Sequence, residues 1–184
     1  MVPCLESMFN TIAAVLPVQP DEAIDFLDLG GGSVVLSEFI LEQFPNAHTT
    51  ILGSSAEALE NARQANERFG DRFKTLPRDF AREDLPKRYH AVVSCLSLHH
   101  LNNIEVRGLY RSIYSSLHAG GMLIVADHLA APSQLLAEWH RAAWQRDANM
   151  LGASDEDIAN AESRQKDDNR TPALEHLQWM FNAG

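Results

Sequence analysis

The chain has 184 residues, 45% apolar and 22% charged, the profile of one folded domain with a proper core rather than of a disordered segment. Its 15 basic residues stand against 25 acidic ones, a formal net charge of -10, and no Lys/Arg cluster occurs, which argues against nucleic acid and anionic membranes as partners. Two cysteines, Cys4 and Cys95, make a disulfide framework improbable and a reducing compartment the better expectation; with no signal-peptide pattern and no apolar run near ~18 residues, a soluble cytoplasmic domain is expected.

In chain order, "AIDFLDL" (23–29) reads as a strand, followed by Gly30-Gly31-Gly32-Ser33. "VVLSEFILEQF" (34–44) reads as a helix, with Val34, Val35, Phe39 and Ile40 among its apolar positions. "HTTIL" (48–52) is a strand, and 55–69 a helix with Ser55 as N-cap and Ala58, Leu59 and Ala62 on one face. "RFKTL" (72–76) and "YHAVVSCLSL" (89–98) are strands. A helix over 103–117, closed by Gly120-Gly121, leads to the strand "MLIVAD" (122–127). After Pro132 the pattern becomes helical: 133–151 is amphipathic, 154–168 is acidic and reads as a solvated face, and 171–184 opens with Thr171 as N-cap and Pro172 at the first helical position. There is no internal repeat. Alternating strands and helices predict an α/β fold with a doubly wound, mostly parallel sheet of about five strands. The expected organisation is a single domain, with a leading helix in 1–20, an α/β core in 21–130 and a helical region in 131–184.

Ligands of such sheets bind beyond the carboxyl ends of the central strands, where the turn 30–33 falls. Glycines there let a ligand approach the backbone, and the following helix offers free N–H groups to an anion. A tight turn without a ligand is the plainer reading of a single glycine, but Asp-x-Gly-x-Gly after a first strand favours a binding site.

Several segments in order resemble the class I S-adenosylmethionine-dependent methyltransferases, the small-molecule type with a Leu-His-His-Leu segment. They are "VPCLESMFNTIAAVLP", "FLDLGGGS", "FPNA", "SSAEALENAR", "RDF", "YHAVVSCLSLHHL", "LHAGGMLIVADH" and "EHLQWMFNAG". The resemblance implies a Rossmann-like methyltransferase fold and S-adenosyl-L-methionine as cofactor, with 21–130 as the cofactor-binding core and 131–184 as a helical substrate or lid region. Asp28, Gly30, Gly31 and Gly32 would hold its methionine end. Asp79 and Phe80 would border the adenine, and Ser94, Cys95 and Leu96 would form the wall behind the sulfonium. Methyl would pass in line to a small-molecule nucleophile, the protein mainly positioning the partners.

Three departures from the family pattern stand out. Val34 occupies the place of a further glycine. Gly53, followed by Ser54, stands where the family carries a ribose-binding carboxylate, and that missing bond is worth roughly 1.5–3 kcal/mol. The family's last two strands would begin where the chain stops, which leaves 122–127 as an apolar edge and leads to the expectation of a covered edge or a homo-oligomer. These departures favour the alternative of a catalytically impaired, methyltransferase-like protein. A nicotinamide dehydrogenase is disfavoured because Gly-x-Gly-x-x-Gly fails at Val35.

His99 and His100, after the fourth strand, and Asp127 and His128, ending the fifth, are candidate proton-transfer residues; the alternative is that they shape the loop. Their spacing, with Cys95, matches no zinc pattern, so no metal is expected. Trp139, His140 and Trp144 are candidates for a lid or for core packing.

Overall fold

The computed structural model describes residues 3–16, 18, 19, 21–30, 34–86 and 88–184, and of Val34 the backbone only. Strands β1 (Ile24–Leu29), β2 (Ala47–Gly53), β3 (Phe73–Pro77), β4 (Tyr89–Cys95) and β5 (Leu117–Ala126) form one sheet in the order β3-β2-β1-β4-β5. Every pairing is parallel, as the alternating patterns predict. Parallel neighbours need long crossovers, which helices provide. Helix α1 (Leu5–Val15) precedes β1, α2 (Val34–Gln43) joins β1 to β2, α3 (Ala56–Ala65) lies between β2 and β3, and α4 (Asn103–Ser116) joins β4 to β5. Helices α5 (Gln134–Met150), α6 (Asp155–Arg164) and α7 (Ala173–Ala183) follow.

β1 is buried on both faces because side chains alternate across a strand. Phe26 joins a core with Phe9, Ile12, Leu36, Ile40 and Ile51 on one face. Leu27 and Leu29 join Leu52, Val92, Leu109, Ile113 and Trp179 on the other. Each such side chain contributes about 1.5–3 kcal/mol on burial, so β1 can carry one buried carboxylate, Asp28, without losing its place. Helix α7 completes the second core by packing Trp179 beside α4. The strand order reverses between β1 and β4, whose carboxyl ends lie side by side with Leu29 opposite Ser94. That reversal opens the crevice of a doubly wound sheet.

Several expected boundaries change. The helix expected to close at Gly120-Gly121 ends at Ser116, and β5 begins at once with Leu117. Gly121 instead lies inside the strand at a register shift against β4. A Cβ there would lie 2.9 Å from the His118 carbonyl, 3.1 Å from that of Tyr89 and 3.2 Å from that of His90. Close approach of the strands, not helix termination, requires this glycine. Asp127 lies one residue beyond β5. The fourth strand stops at Cys95, not at 98, and is followed by a single 3-10 turn, Leu98–His100. Thr171 does not cap α7: Pro172 holds the cap position, and the Thr171 hydroxyl donates to Asn103 Oδ1 at 3.1 Å. The helix expected over 55–69 ends at Ala65 and passes into a 3-10 segment, Glu67–Arg72. Ser55 does cap it, accepting from the Ala58 N–H at 3.2 Å, although Ala58 itself is exposed. Among the described residues β5 pairs only with β4, so it is the edge strand. No helix among them is long and apolar enough to cross a membrane.

Candidate cofactor and proton-transfer site

At the end of β1, Asp28 is buried, 2% exposed, and accepts one side-chain hydrogen bond, from Ser37 Oγ on α2 at 3.1 Å. Burial pushes its carboxyl up to about 7, only partly offset by the Ser37 hydroxyl. Gly30 follows with φ 102, and its N–H donates to the Leu52 carbonyl at 2.9 Å. A Cβ on Gly30 would overlap the Ser97 hydroxymethyl group and stand 3.9 Å from the Phe80 ring. What presses against this turn is therefore Ser97. Gly31 and Gly32 lie outside the described residues, and so does the side chain of Val34.

Gly53 ends β2, and its carbonyl accepts from the Arg78 N–H at 2.9 Å. A Cβ there would make ordinary contacts, 3.7 Å to Leu59 Cδ2 and 3.8 Å to the Gly30 carbonyl oxygen. A side chain could therefore begin at this position without a clash at its Cβ. Ser54 is exposed. Asp79 Oδ1 accepts from the Ala81 N–H at 3.0 Å, while Phe80 packs at the border of the second core.

After β4 the chain turns sharply. Ser94 is fully buried, and its Oγ has no hydrogen-bond partner among the described residues. Cys95 is also buried. Leu96 has φ 55, a left-handed conformation costing roughly 1–2 kcal/mol for a non-glycine residue. Its N–H donates to the Ala126 carbonyl at 2.8 Å, which pins the bend to β5. The bend sets Ser97 against Gly30 and carries the Leu98–His100 turn over the end of β5. Leu96→Gly is expected to relieve the strain but to lose a partly buried side chain packed against the first core, so that the melting temperature is unchanged or slightly lowered; differential scanning calorimetry measures this.

The 98–100 turn is held by Asp127. This carboxylate accepts the Leu98 N–H at 2.7 Å, the His99 N–H at 3.2 Å and the His128 N–H at 2.7 Å. It also lies 2.5 Å from His99 Nδ1. The other ring nitrogen, His99 Nε2, lies 3.9 Å from Asp168 Oδ1. Asp168 Oδ2 lies 3.6 Å from His128 Nδ1 and 3.9 Å from Arg170. The His99 ring stacks on His128 and meets His100 edge-on, with centroids 5.1 and 4.1 Å apart. Burial lowers the pKa of His128, and neighbouring His99 adds to the effect.

Asp168 comes from the segment expected to be a solvated face. The Asn169 N–H donates to the His99 carbonyl at 2.7 Å, and its side chain donates to the Leu101 carbonyl at 2.8 Å and Asn103 Oδ1 at 2.7 Å. The Ala130 N–H donates to the Thr171 carbonyl at 3.1 Å. Residues 168–171 thus strap across the histidine turn, and the Asp168 side chain ends 4% exposed. No local signal separates Asp168 from Asp167, since only contacts across some seventy residues of chain bury it. Ser97 was equally silent in the sequence. Trp139 stays 61% exposed, His140 is exposed and Trp144 is half-buried, so the aromatic group of α5 is not part of the core.

A doubly wound sheet with a carboxylate, a glycine turn and an imidazole cluster at its switch point has the organisation of a class I methyltransferase. Residues 27–123 match the methyltransferase domain family, more than half of the chain, and the chain belongs to that family, within the S-adenosylmethionine-dependent methyltransferases. The malonyl-(acyl-carrier protein) O-methyltransferase of Acetivibrio thermocellus is 25% identical over 118 residues, which is 64% of this chain and 40% of that protein. The chain therefore spans less than half the length of this curated relative. The pyocyanin biosynthetic protein PhzM superposes with a TM-score of 0.69 at 17% identity, over 96% of this chain and 48% of that one. Human N-acetylserotonin methyltransferase in complex with SAM superposes with a TM-score of 0.59 at 20% identity, over 87% and 41%.

Proposed function

We propose that this chain binds S-adenosylmethionine in the crevice between β1 and β4 and transfers its methyl group to a small-molecule nucleophile. The observation that carries the reading is Asp28. A buried carboxylate with one side-chain partner among the described residues costs stability and suits a cationic ligand group, such as the ammonium of a methionine moiety. Two further features fit the cofactor. Ser94, whose Oγ has no hydrogen-bond partner among the described residues, pairs with Leu29 at the carboxyl ends of β4 and β1, and Phe80 offers an apolar ring beside Gly30 with the Asp79 carboxylate next to it. Asp28, Gly30, Asp79, Phe80 and Ser94 to Leu96 would hold the group. When bound, it supplies an electrophilic methyl that a nucleophile displaces in line.

The remaining chemistry is the nucleophile's proton. His99 is enclosed between Asp127 and Asp168, so it positions the turn rather than facing a substrate. His128 is more exposed, at 35%, and faces Asp168 through Nδ1. An imidazole so placed can accept a proton from a nucleophile. His100, exposed at the rim, lines the approach.

Calorimetric titration with S-adenosylmethionine and S-adenosylhomocysteine tests the reading. Micromolar binding, lost in Asp79→Ala, is expected. Gly53→Asp should tighten it roughly ten- to hundredfold, because the backbone there accepts a Cβ without a clash and the carboxylate would gain a charge-assisted bond to the ribose. No heat with either ligand at millimolar concentration would sink the proposal. It would leave the second reading, a non-catalytic relative, which the absent carboxylate at Gly53 favours.

A further inference from the structure

We propose that His99, His100 and Asp168 form a binding site for one divalent first-row transition-metal ion, with Zn2+ as the simplest occupant. The proposal goes beyond methyl transfer and holds or fails independently of it.

One ligand atom from each of these three residues lies within 4.8 Å of the other two. His99 Nε2 and Asp168 Oδ1 are 3.9 Å apart. Two donors each ~2.1 Å from a tetrahedral ion stand ~3.4 Å apart, so this pair closes on an ion with a movement well under 1 Å. Two imidazoles and one carboxylate are a donor set that such ions accept with positions left open. His100, being exposed, puts the open side towards solvent.

Two independent observations point to a ligand here. The Asp168 side chain is 4% exposed, and its Oδ2 has no hydrogen-bond partner among the described residues. Its nearest cationic or imidazole groups, His128 Nδ1 at 3.6 Å and Arg170 at 3.9 Å, lie beyond hydrogen-bond reach. A buried carboxylate with unmet capacity is costly, and a cation among these side chains would satisfy it. The second observation is the arrangement behind His99. Asp127 lies 2.5 Å from Nδ1; in the tautomer that donates to it, Nε2, 3.9 Å from Asp168 Oδ1, keeps a lone pair for an ion. Asp127 is itself held by three backbone N–H groups, so it cannot swing away. An imidazole oriented by a fixed carboxylate is the usual support of a metal-binding histidine.

The sequence led to the opposite expectation because Asp168 carries no local signal of its burial. The two histidines are adjacent, and the third ligand arrives from the strap at 168–171. A second group, Asp25, His90 and His118, lies at the amino-terminal end of the sheet. There Asp25 is open to water, and His90 Nδ1 already accepts the Asp25 N–H at 3.0 Å. It serves as the control.

The experiment starts from the full chain stripped with a chelator and titrates it with Zn2+ against a chromophoric competitor. Saturation at one equivalent is expected. Asp168→Asn and His100→Ala should each weaken binding by at least about 100-fold, and Asp127→Asn by about 10–100-fold. His118→Ala should leave the affinity unchanged. Imidazole 15N spectra of the unaltered chain give a reading that does not depend on any variant folding: His99 and His100 should shift on Zn2+ addition, and His118 should not. Absence of one-equivalent binding would overturn the proposal. So would binding that survives Asp168→Asn or disappears in His118→Ala.

Discussion

Asp28→Asn is expected to stabilise the protein at pH 8 by up to about 4 kcal/mol, the largest single-residue effect foreseen here. The carboxyl has its ordinary value near 3.8 in the unfolded chain and about 7 in the native one. Between those values the native state keeps a proton that the unfolded state has lost. Stability therefore falls as pH rises, by about 1.4 kcal/mol per unit. Below the lower value both states are protonated and the carboxyl carries no penalty. Above the upper value both are ionised and the loss is complete. Asparagine has nearly the same shape, carries no charge at any pH, and its Oδ1 can still accept from Ser37 Oγ.

Thermal unfolding of both proteins from pH 4 to 8 provides the check. The difference between the curves should grow through that window and level off above neutral pH. At about 2–4 °C per kcal/mol, the variant should melt up to roughly 8–16 °C higher at pH 8. A constant difference would mean that Asp28 is not the strained group described here. On the proposed reading, the same variant should also bind S-adenosylmethionine more weakly, because it lacks the carboxylate proposed to meet the ligand's ammonium; a residue that costs stability and serves binding is the common form of this trade-off.

Gly30→Ala should destabilise the chain by about 2–5 kcal/mol. Two costs combine. An alanine at φ 102 is strained by roughly 1–2 kcal/mol, and its methyl group would overlap Ser97, an overpacking cost of about 1–3 kcal/mol. The second cost depends on Ser97 and the first does not. Ser97→Gly in the Gly30→Ala background should therefore recover the steric part only. Urea unfolding of the two single variants and the double variant measures the coupling. Additive effects would show that the two side chains do not compete for one space.

These two residues differ in how much of their role the sequence could disclose. Asp28 and Gly30 were placed at the end of the first strand correctly, because an apolar run broken by glycines and resumed at helical spacing is a local pattern. Their surroundings were not legible. The glycine turn suggested a ligand pressing close, whereas at Gly30 the neighbour is Ser97, brought there by the left-handed bend at Leu96. Gly121 looked like a helix terminator and is instead a concession to two converging strands. Thr171 looked like a cap and is part of the strap.

By itself the sequence determined the class of fold, the run of strands and helices, and the position of the glycine turn at the carboxyl end of the first strand. Each of these rests on periodicity and turn signals within about ten to twenty residues, which a linear chain carries openly. Only the tertiary structure decided that Asp168 joins His99 and His128, that Asp127 fixes the histidine turn, and that a Cβ at Gly53 would meet no clash. Those facts depend on contacts between segments tens of residues apart, and burial there, not residue type, separates Asp168 from its solvated neighbours.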